Sequence, residues 1–587
     1  MTEHEVPSLT KLVEVAVSGA ITRAVPELAG ADPVVRRSEH ADFQSNAALA
    51  LAKRTRIKPA ALAATVAEAL RADPGAAMAE VVVSGPGFLN LTLAGPALWR
   101  QVTARLASPR LGVGSPEQGR RTVIDYSGPN IAKEMHVGHL RTTVIGDALA
   151  RVLSFLGAQV IRQNHLGDWG TQFGMLIQYL DEHPDADWHG TREGVAALNE
   201  LYRAARRQFD EDPPFADRAR ARVVELQAGD PATVARWREI VAESMRYFGA
   251  IYDQLAVLLT EEDAVGESFY NPVLAEIAEK LERDGVAVRS EGALCVFFDD
   301  VRGPDGQRIP LIVRKRDGGF GYAATDLAAI RHRIRTLGAK RLLYVVDARQ
   351  ALHLRMVFET ARRAGWIPSD VEVKHVAFGT VLGPDGKPFK TRAGDNVPLA
   401  SLFAGAIERA RTTIEERDGQ QRPGDVAVLA RQVGIGAVKY ADLATSRTKD
   451  YVFDLDRMVS LNGNTGMYLQ YAHARVRSVL RRLAELESGP GELPEEIALH
   501  PGERALALLL DDFARVVLDV AETLEPHRLC TYLYALAQAF TDFYESCPVL
   551  RAESGSARAV RALLCQLTAD TLRRGLELLG IDAPDRL

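Results

Sequence analysis

The period of the apolar positions changes twice along this 587-residue chain, and the changes divide it into three parts. Up to about residue 115, short helical and strand-like runs alternate. Apolar residues recur every three or four positions over 9–22, 46–53 and 60–70, which predicts three helices, while 80–93 is strand-like and broken at Gly85-Pro86-Gly87. A linker with glycines and prolines, 108–119, closes this small α/β domain.

From 118 to about 455 strands and helices follow in turn. A short apolar strand at 122–124 leads through a loop with Gly128 and Pro129 into a helix near Val137, whose inner face is Leu140, Val144, Ala148 and Val152. A second strand at 160–162 precedes the glycine-punctuated stretch 164–174. Long, polar helical sequence over 196–254, interrupted at Pro213-Pro214 and Gly229-Asp230-Pro231, reads as an insertion. Strands return at 293–298, 309–313 and 342–346. This alternation predicts a Rossmann-like α/β domain with an open parallel sheet. Residues 456–587 are helical by pattern throughout, which predicts an all-α bundle. The aromatic stripe of its amphipathic stretch 529–550 reads as core.

Composition narrows the class. The apolar share of 47% supports sizeable cores, no run is long enough to cross a bilayer, and the N-terminus lacks a basic region or apolar signal core, so a soluble cytoplasmic protein without a membrane partner is expected. Cys295, Cys530, Cys547 and Cys565 form no CxxC pair, so neither a zinc ribbon nor a disulfide framework is predicted, and no metal ligands are assigned. The formal charge of −6 does not by itself point to nucleic acid. Two stretches are nevertheless dense in arginine: Arg203, Arg206, Arg207, Arg218, Arg220 and Arg222, then Arg475, Arg477, Arg481 and Arg482.

The chemistry concentrates where the first strand meets its helix. That turn directs backbone N–H groups and the positive end of a helix dipole at whatever lies above the strand, so an anionic ligand is expected. His136 and His139 face the same way in the first turn, and Gly138 between them leaves room for close approach to the backbone. No GxxxxGK[ST] phosphate loop occurs; Gly383 to Lys387 comes nearest and is followed by Pro388. Tyr322 and Asp326 share a helix face, and Gln350 follows the buried-looking strand LLYVV.

HVGH after a strand is the signature of class I aminoacyl-tRNA synthetases and related nucleotidyl transferases, and the longer string SGPNIAKEMHVGHLRTTVIGD resembles the arginyl-tRNA synthetase family in particular. The resemblance spans nearly the whole chain. It implies a class I catalytic domain at 118–455, an N-terminal domain at 1–115 that meets the tRNA D-loop through Phe43 and Asn46, and an anticodon-binding bundle at 456–587 in which Tyr468, Tyr471 and Arg475 stack on unpaired bases. His136 and His139 would donate to the α-phosphate region of ATP, with Gly138 and, in NHLGDWGTQFG, Gly167 and Asp168 also in the nucleotide pocket. No KMSKS string is present; LGPDGKPFKTRAGD stands in its place, making Lys387, Lys390 and Arg392 candidates for pyrophosphate, with Lys133 opposite.

A guanidinium offers five donors in a plane and no acceptor, so a pocket for arginine needs carboxylates and amide oxygens around that plane. The resemblance places Tyr322, Asp326 and Gln350 there and sets Asp125, Ser127 and Asn130 at the ammonium end. Asp125 suits either end. The implied reaction is ATP-dependent activation of L-arginine, with Mg2+ accompanying ATP, then transfer to the 2′-hydroxyl of the terminal adenosine of tRNA(Arg) by a monomer that needs tRNA for efficient activation. Two departures stand out: Gly128 where serine or alanine is commoner, and Gly466-Met467 where Ala-Pro is usual, the second bearing on anticodon preference. The rival readings are a paralogue serving another acceptor and a non-catalytic tRNA-binding protein.

Overall fold

The computed structural model describes residues 5–188, 194–303, 305–389, 397–417, 423–486 and 499–587. At its centre lies a five-stranded parallel sheet of β1 (Arg121–Asp125), β2 (Gln159–Leu166), β3 (Ala264–Gly266), β4 (Arg341–Tyr344) and β5 (Glu372–His375), in the spatial order β5-β4-β1-β2-β3. The winding direction reverses between β1 and β4, so a crevice opens at their carboxyl ends, where parallel sheets take their ligands. Helix α1 (Val137–Phe155) follows β1 and is buried on nearly every face, with Leu140, Val144, Ala148 and Leu153 fully enclosed.

The polar insertion forms three helices, Gly194–Glu211, Pro213–Ala228 and α2 (Pro231–Leu255), the latter two starting on a proline, where a missing N–H costs nothing. The first two pack on the helix Thr171–Glu182 and on each other, with Leu198 and Leu226 in the core. α2 drives Ile240, Phe248, Ile251, Tyr252 and Leu255 into the core beneath β2. Most insertion arginines are consumed in pairs with acids, including Arg203–Glu200, Arg206–Asp210, Arg218–Glu182 and Arg222–Asp181.

The strands predicted at 293–298 and 309–313 exist but do not join the parallel sheet. Ala293–Val296 and Leu311–Arg314 make a separate three-stranded antiparallel sheet with Val288–Ser290. Tyr322 and Asp326 therefore do not follow a strand of the parallel sheet. They stand on α3 (Tyr322–Arg335), which leaves the small sheet and runs back to the large one, with Ala324, Leu327 and Ile330 in a shared core with Leu342 of β4.

In the N-terminal part the predicted helices appear as Leu9–Ala24, Ala47–Thr55 and Pro59–Arg71, and the 80–93 region as the antiparallel pair Met78–Ser84 and Phe88–Leu93. Two three-residue strands, Val35–Arg37 and Phe43–Ser45, complete this sheet, and a helix, Gly95–Ala107, follows it. This last helix carries Arg105, which is buried and bonded to Asp511 of the C-terminal bundle at 2.6 Å; Gln101 and the Leu9 N–H bond the same carboxylate, each at 2.7 Å. Arg504–Asp42 adds a second tie at 2.5 Å. The C-terminal bundle includes α6 (Gly466–Ala484), His527–Ser546 and Gly555–Leu578, and meets the catalytic part through α5 (Pro423–Leu443).

Candidate active site

The loop between β1 and α1 is held in a backbone conformation that few residues adopt. Ser127 (φ +75°), Gly128 (+55°) and Ala132 (+62°) all lie in the left-handed region, and each non-glycine there costs roughly 1–2 kcal/mol. Packing and hydrogen bonds hold it in place. The Gly128 N–H donates to Asn164 Oδ1 (2.9 Å), and the Ala132 N–H to Ser244 Oγ of α2 (3.0 Å). Asn164 Nδ2 donates to the Tyr252 hydroxyl (2.9 Å), which lies 2.8 Å from Ser127 Oγ. Tyr252 and Ser244, neither of them suggested by the sequence pattern, make α2 the brace of the site. Ser127 is thus turned inward with its hydroxyl engaged, while Asn130 is exposed and abuts Gly167, whose missing Cβ would sit 2.3 Å from Asn130 Oδ1.

At the start of α1 the two imidazoles cap each other's backbone. The Gly138 N–H donates to His136 Nδ1 (3.0 Å) and the His136 N–H to His139 Nδ1 (3.1 Å), with ring centroids 4.1 Å apart. Burial, with Lys133 nearby, draws the His136 pKa down; burial and the neighbouring His136 push His139 down to about 3. Both rings are then neutral at pH 7. Because each Nδ1 accepts, each proton sits on Nε2, leaving two donors free for an oxyanion. The room expected over Gly138 is taken by the His136 ring, 2.8 Å from where a Cβ would stand. Lys133 lies 4.9 Å from the centre of the Tyr202 ring, and burial lowers its pKa.

The acidic wall forms beside this pair. Thr142 of α1 donates to the Val345 carbonyl just past β4 (2.6 Å), and Asp125 stands in register with Tyr344. Asp125 is bonded to Arg333 at 2.7 Å, a guanidinium of the protein itself, two helical turns beyond Asp326 on the same face of α3. One Asp125 oxygen is therefore engaged inside. Asp326 accepts from His353 Nε2 (2.6 Å), and this contact raises the His353 pKa. His353 lies on α4 (Ala351–Arg363), directly after Gln350, which is exposed at the end of a 3-10 turn; Tyr322 is 70% exposed at the first position of α3. Glu267, immediately after β3, is buried without a hydrogen bond among the described residues; burial, then Asp326 and Asp168, push its carboxyl up to about 8. Asp168 itself accepts from the Ser268 N–H (2.9 Å) and hydroxyl (2.6 Å), so its carboxylate is occupied, and Trp237 of α2 donates to its carbonyl (2.8 Å). Glu267, His353 and Arg333 were missed. Only Arg333 left a sequence signal, its seven-residue spacing from Asp326.

This crevice can be set beside known proteins. The catalytic-domain model for class I tRNA synthetases (R) matches residues 101–455. The chain belongs to the arginyl-tRNA synthetase family. The family's N-terminal domain model matches 9–93, and the DALR anticodon binding domain matches 469–587. An arginine--tRNA ligase of Frankia casuarinae is 67% identical with both chains covered in full, and one of Streptomyces coelicolor is 53% identical over 99% of this chain and all of that one. Among solved structures, the arginyl-tRNA synthetases of Plasmodium falciparum and Thermus thermophilus each superpose with TM-score 0.79 at 27% identity, over 99% and 98% of this chain and all of theirs. The enzyme is an ATP-dependent ligase that joins arginine to tRNA(Arg).

The chain that follows the stretch 382–395 reaches the segment carrying the imidazoles. The Leu399 N–H bonds the Met135 carbonyl (2.9 Å) and the Val137 N–H bonds that of Val397 (3.0 Å), while Val381–Leu382, before that stretch, pairs in parallel with Tyr451–Val452. Lys387 is exposed in the turn 383–388; Lys390 and Arg392 lie outside the described residues.

The RNA-facing expectations divide. Phe43 is fully buried under the Arg37 guanidinium, 4.6 Å from its ring centre, so it is core and cannot stack on a base. Its strand is too short and too polar in composition to show which way the ring points. Asn46 begins a helix without capping it, and its buried Oδ1 has no partner among the described residues. Tyr468 and Arg475 of α6 are half-buried against the rings of Tyr534 (5.5 Å) and Tyr544 (4.8 Å), and Tyr471 is half-buried with them. Gly466 and Met467 are buried; a Cβ on Gly466 would stand 2.8 Å from the Gly436 carbonyl of α5, so close helix crossing accounts for this departure from Ala-Pro.

Among the described residues no helix is long and apolar enough to cross a membrane, and no three His, Cys, Asp or Glu side chains are grouped to hold a metal ion.

Proposed function

We propose the following division of labour in the ligation. Glu267 and Asp326 receive the guanidinium of arginine, with Gln350 and the Tyr322 hydroxyl at its edge. The free oxygen of Asp125 and the Asn130 amide take the ammonium, and Ser127 acts by holding their loop. The arginine carboxylate attacks the α-phosphorus of ATP; the Nε2–H groups of His136 and His139 donate to the phosphate oxygens as charge grows on them, and pyrophosphate leaves toward Lys133, Lys387 and Lys390. The 2′-hydroxyl of the terminal adenosine then attacks the carbonyl of arginyl-adenylate and AMP leaves. Magnesium enters as MgATP, bound through the phosphates. The backbone around Gly138, Gly167 and Asp168 shapes the nucleotide pocket.

One observation carries this reading: neutral paired imidazoles and a wall of carboxylates share the carboxyl edge of one sheet. Residues 1–115, 118–455 and 456–587 act as tRNA-elbow, catalytic and anticodon units of a cytoplasmic monomer, since one chain supplies every group named. Asn46, Tyr468, Tyr471 and Arg475 face the tRNA. The test is amino-acid-dependent AMP formation across all twenty amino acids with tRNA present. Arginine alone should support it; preference for lysine, glutamate or cysteine would refute the pocket.

A further inference from the structure

A second cleft, about 540 Å³, lies along the outer side of α4 between β5 and the antiparallel sheet. It begins at Ala351, next to Gln350 on the rim of the crevice, and extends to Arg362 and Arg363. Its walls are cationic: Arg355, Arg362, Arg363 and Lys374, with His375 at the crevice end. The acids that line it are already engaged, Asp300 by Arg355 and Glu359 by Arg363 at 3.0 Å. Arg363 also lies 4.8 Å from the centre of the Phe298 ring, which fixes its guanidinium over an apolar floor. Arg362 and Lys374 have no acidic partner among the described residues, unlike most arginines of the insertion.

We propose that this cleft binds the phosphodiester backbone of the tRNA acceptor strand while the terminal adenosine occupies the crevice. From Ala351 to Arg362 the helix rises about 16 Å. A stacked strand advances about 3.4 Å per nucleotide, so a chain whose end lies at the rim passes Lys374, beside His375, and brings a phosphate roughly four or five nucleotides back to Arg362. No base edge is read here. The cleft offers charge and a guanidinium plane, which suits a backbone of any sequence. This rests on the crevice being where the acceptor end is charged.

The test measures equilibrium binding of full-length protein to tRNA(Arg), and to the same tRNA lacking its four 3′ nucleotides and the acceptor-stem 3′ strand, between 50 and 200 mM salt. Arg362→Ala/Lys374→Ala should weaken binding of intact tRNA several-fold and lower the slope of log affinity against log salt by about 1.5. KM for ATP and arginine should not change. With truncated tRNA the variant and the parent should bind alike. An unchanged slope, an equal loss with truncated tRNA, or a raised KM for ATP would each overturn the assignment. Because binding is read without catalysis, the result stands apart from which amino acid the crevice activates.

Discussion

Replacing Tyr252 with phenylalanine removes one oxygen from a helix that touches no substrate group directly. The hydroxyl accepts from Asn164 Nδ2 at 2.9 Å and lies 2.8 Å from Ser127 Oγ, in a place closed to water. Its loss leaves an amide donor and a serine hydroxyl buried with one partner fewer, a cost of roughly 1–3 kcal/mol. The same asparagine holds the Gly128 N–H, so the cost falls on the one loop already strained into left-handed conformations. If half or more of it appears as displacement of Asp125 and Asn130 in the transition state, arginine activation slows about 2- to 160-fold, at about 1.36 kcal/mol per tenfold. The assay is arginine-dependent AMP formation with saturating tRNA, with KM for arginine and for ATP measured separately and thermal unfolding as control. KM for arginine should rise more than KM for ATP. An unchanged kcat/KM for arginine beside a lowered unfolding temperature would show that α2 supports the fold and not the site.

Three further outcomes are expected. His139→Ala should slow adenylate formation at least roughly a hundredfold, the usual scale for losing a preorganised donor, and near-normal single-turnover rates would remove it from the mechanism. Burial pushes the Glu267 carboxyl up to about 8 in the free enzyme, and the guanidinium contact proposed for it needs the carboxylate. KM for arginine should therefore fall as pH rises toward 8 and level off above it, while Glu267→Gln gives a raised, pH-independent KM; a wild-type KM flat from pH 6.5 to 9 would contradict this. Arg141 and Asp442, both buried and 3.3 Å apart, tie α1 to α5. Asp442→Ala should destabilise by about 3–5 kcal/mol in urea unfolding because it strands a buried cation, and Arg141→Met/Asp442→Leu should recover most of that; a double variant no better than the single would contradict the pairing.

Long apolar periodicities fixed much of this architecture in advance. The strand, loop and helix around His136 announce themselves, because β1 and α1 are buried on almost every face and leave an apolar pattern. The prolines of the insertion likewise mark its helix starts. What stayed hidden depends on residues with no period. β3 is three residues long, so Glu267 at its end had no strand to point to it. His353 acts through one hydrogen bond, to Asp326, and Tyr252 through two, to Asn164 and Ser127, none of them between sequence neighbours. Phe43 shows the opposite limit: its ring was legible as aromatic but its direction was not, since a strand of three residues, Phe-Gln-Ser, has no alternation to read.

The bond between Arg105 and Asp511 joins positions 406 residues apart. At 5–20 residues per second, translation needs about 20–80 s to supply the second after the first. Throughout that interval the face of the first domain that later meets Leu499 and Leu508 stays wet, and the guanidinium keeps its hydration shell. Closure of the molecule is thus among the last events of its birth, and a chain halted before residue 499 would emerge with neither the Arg504–Asp42 tie nor the Arg105–Asp511 bond to fasten its first domain.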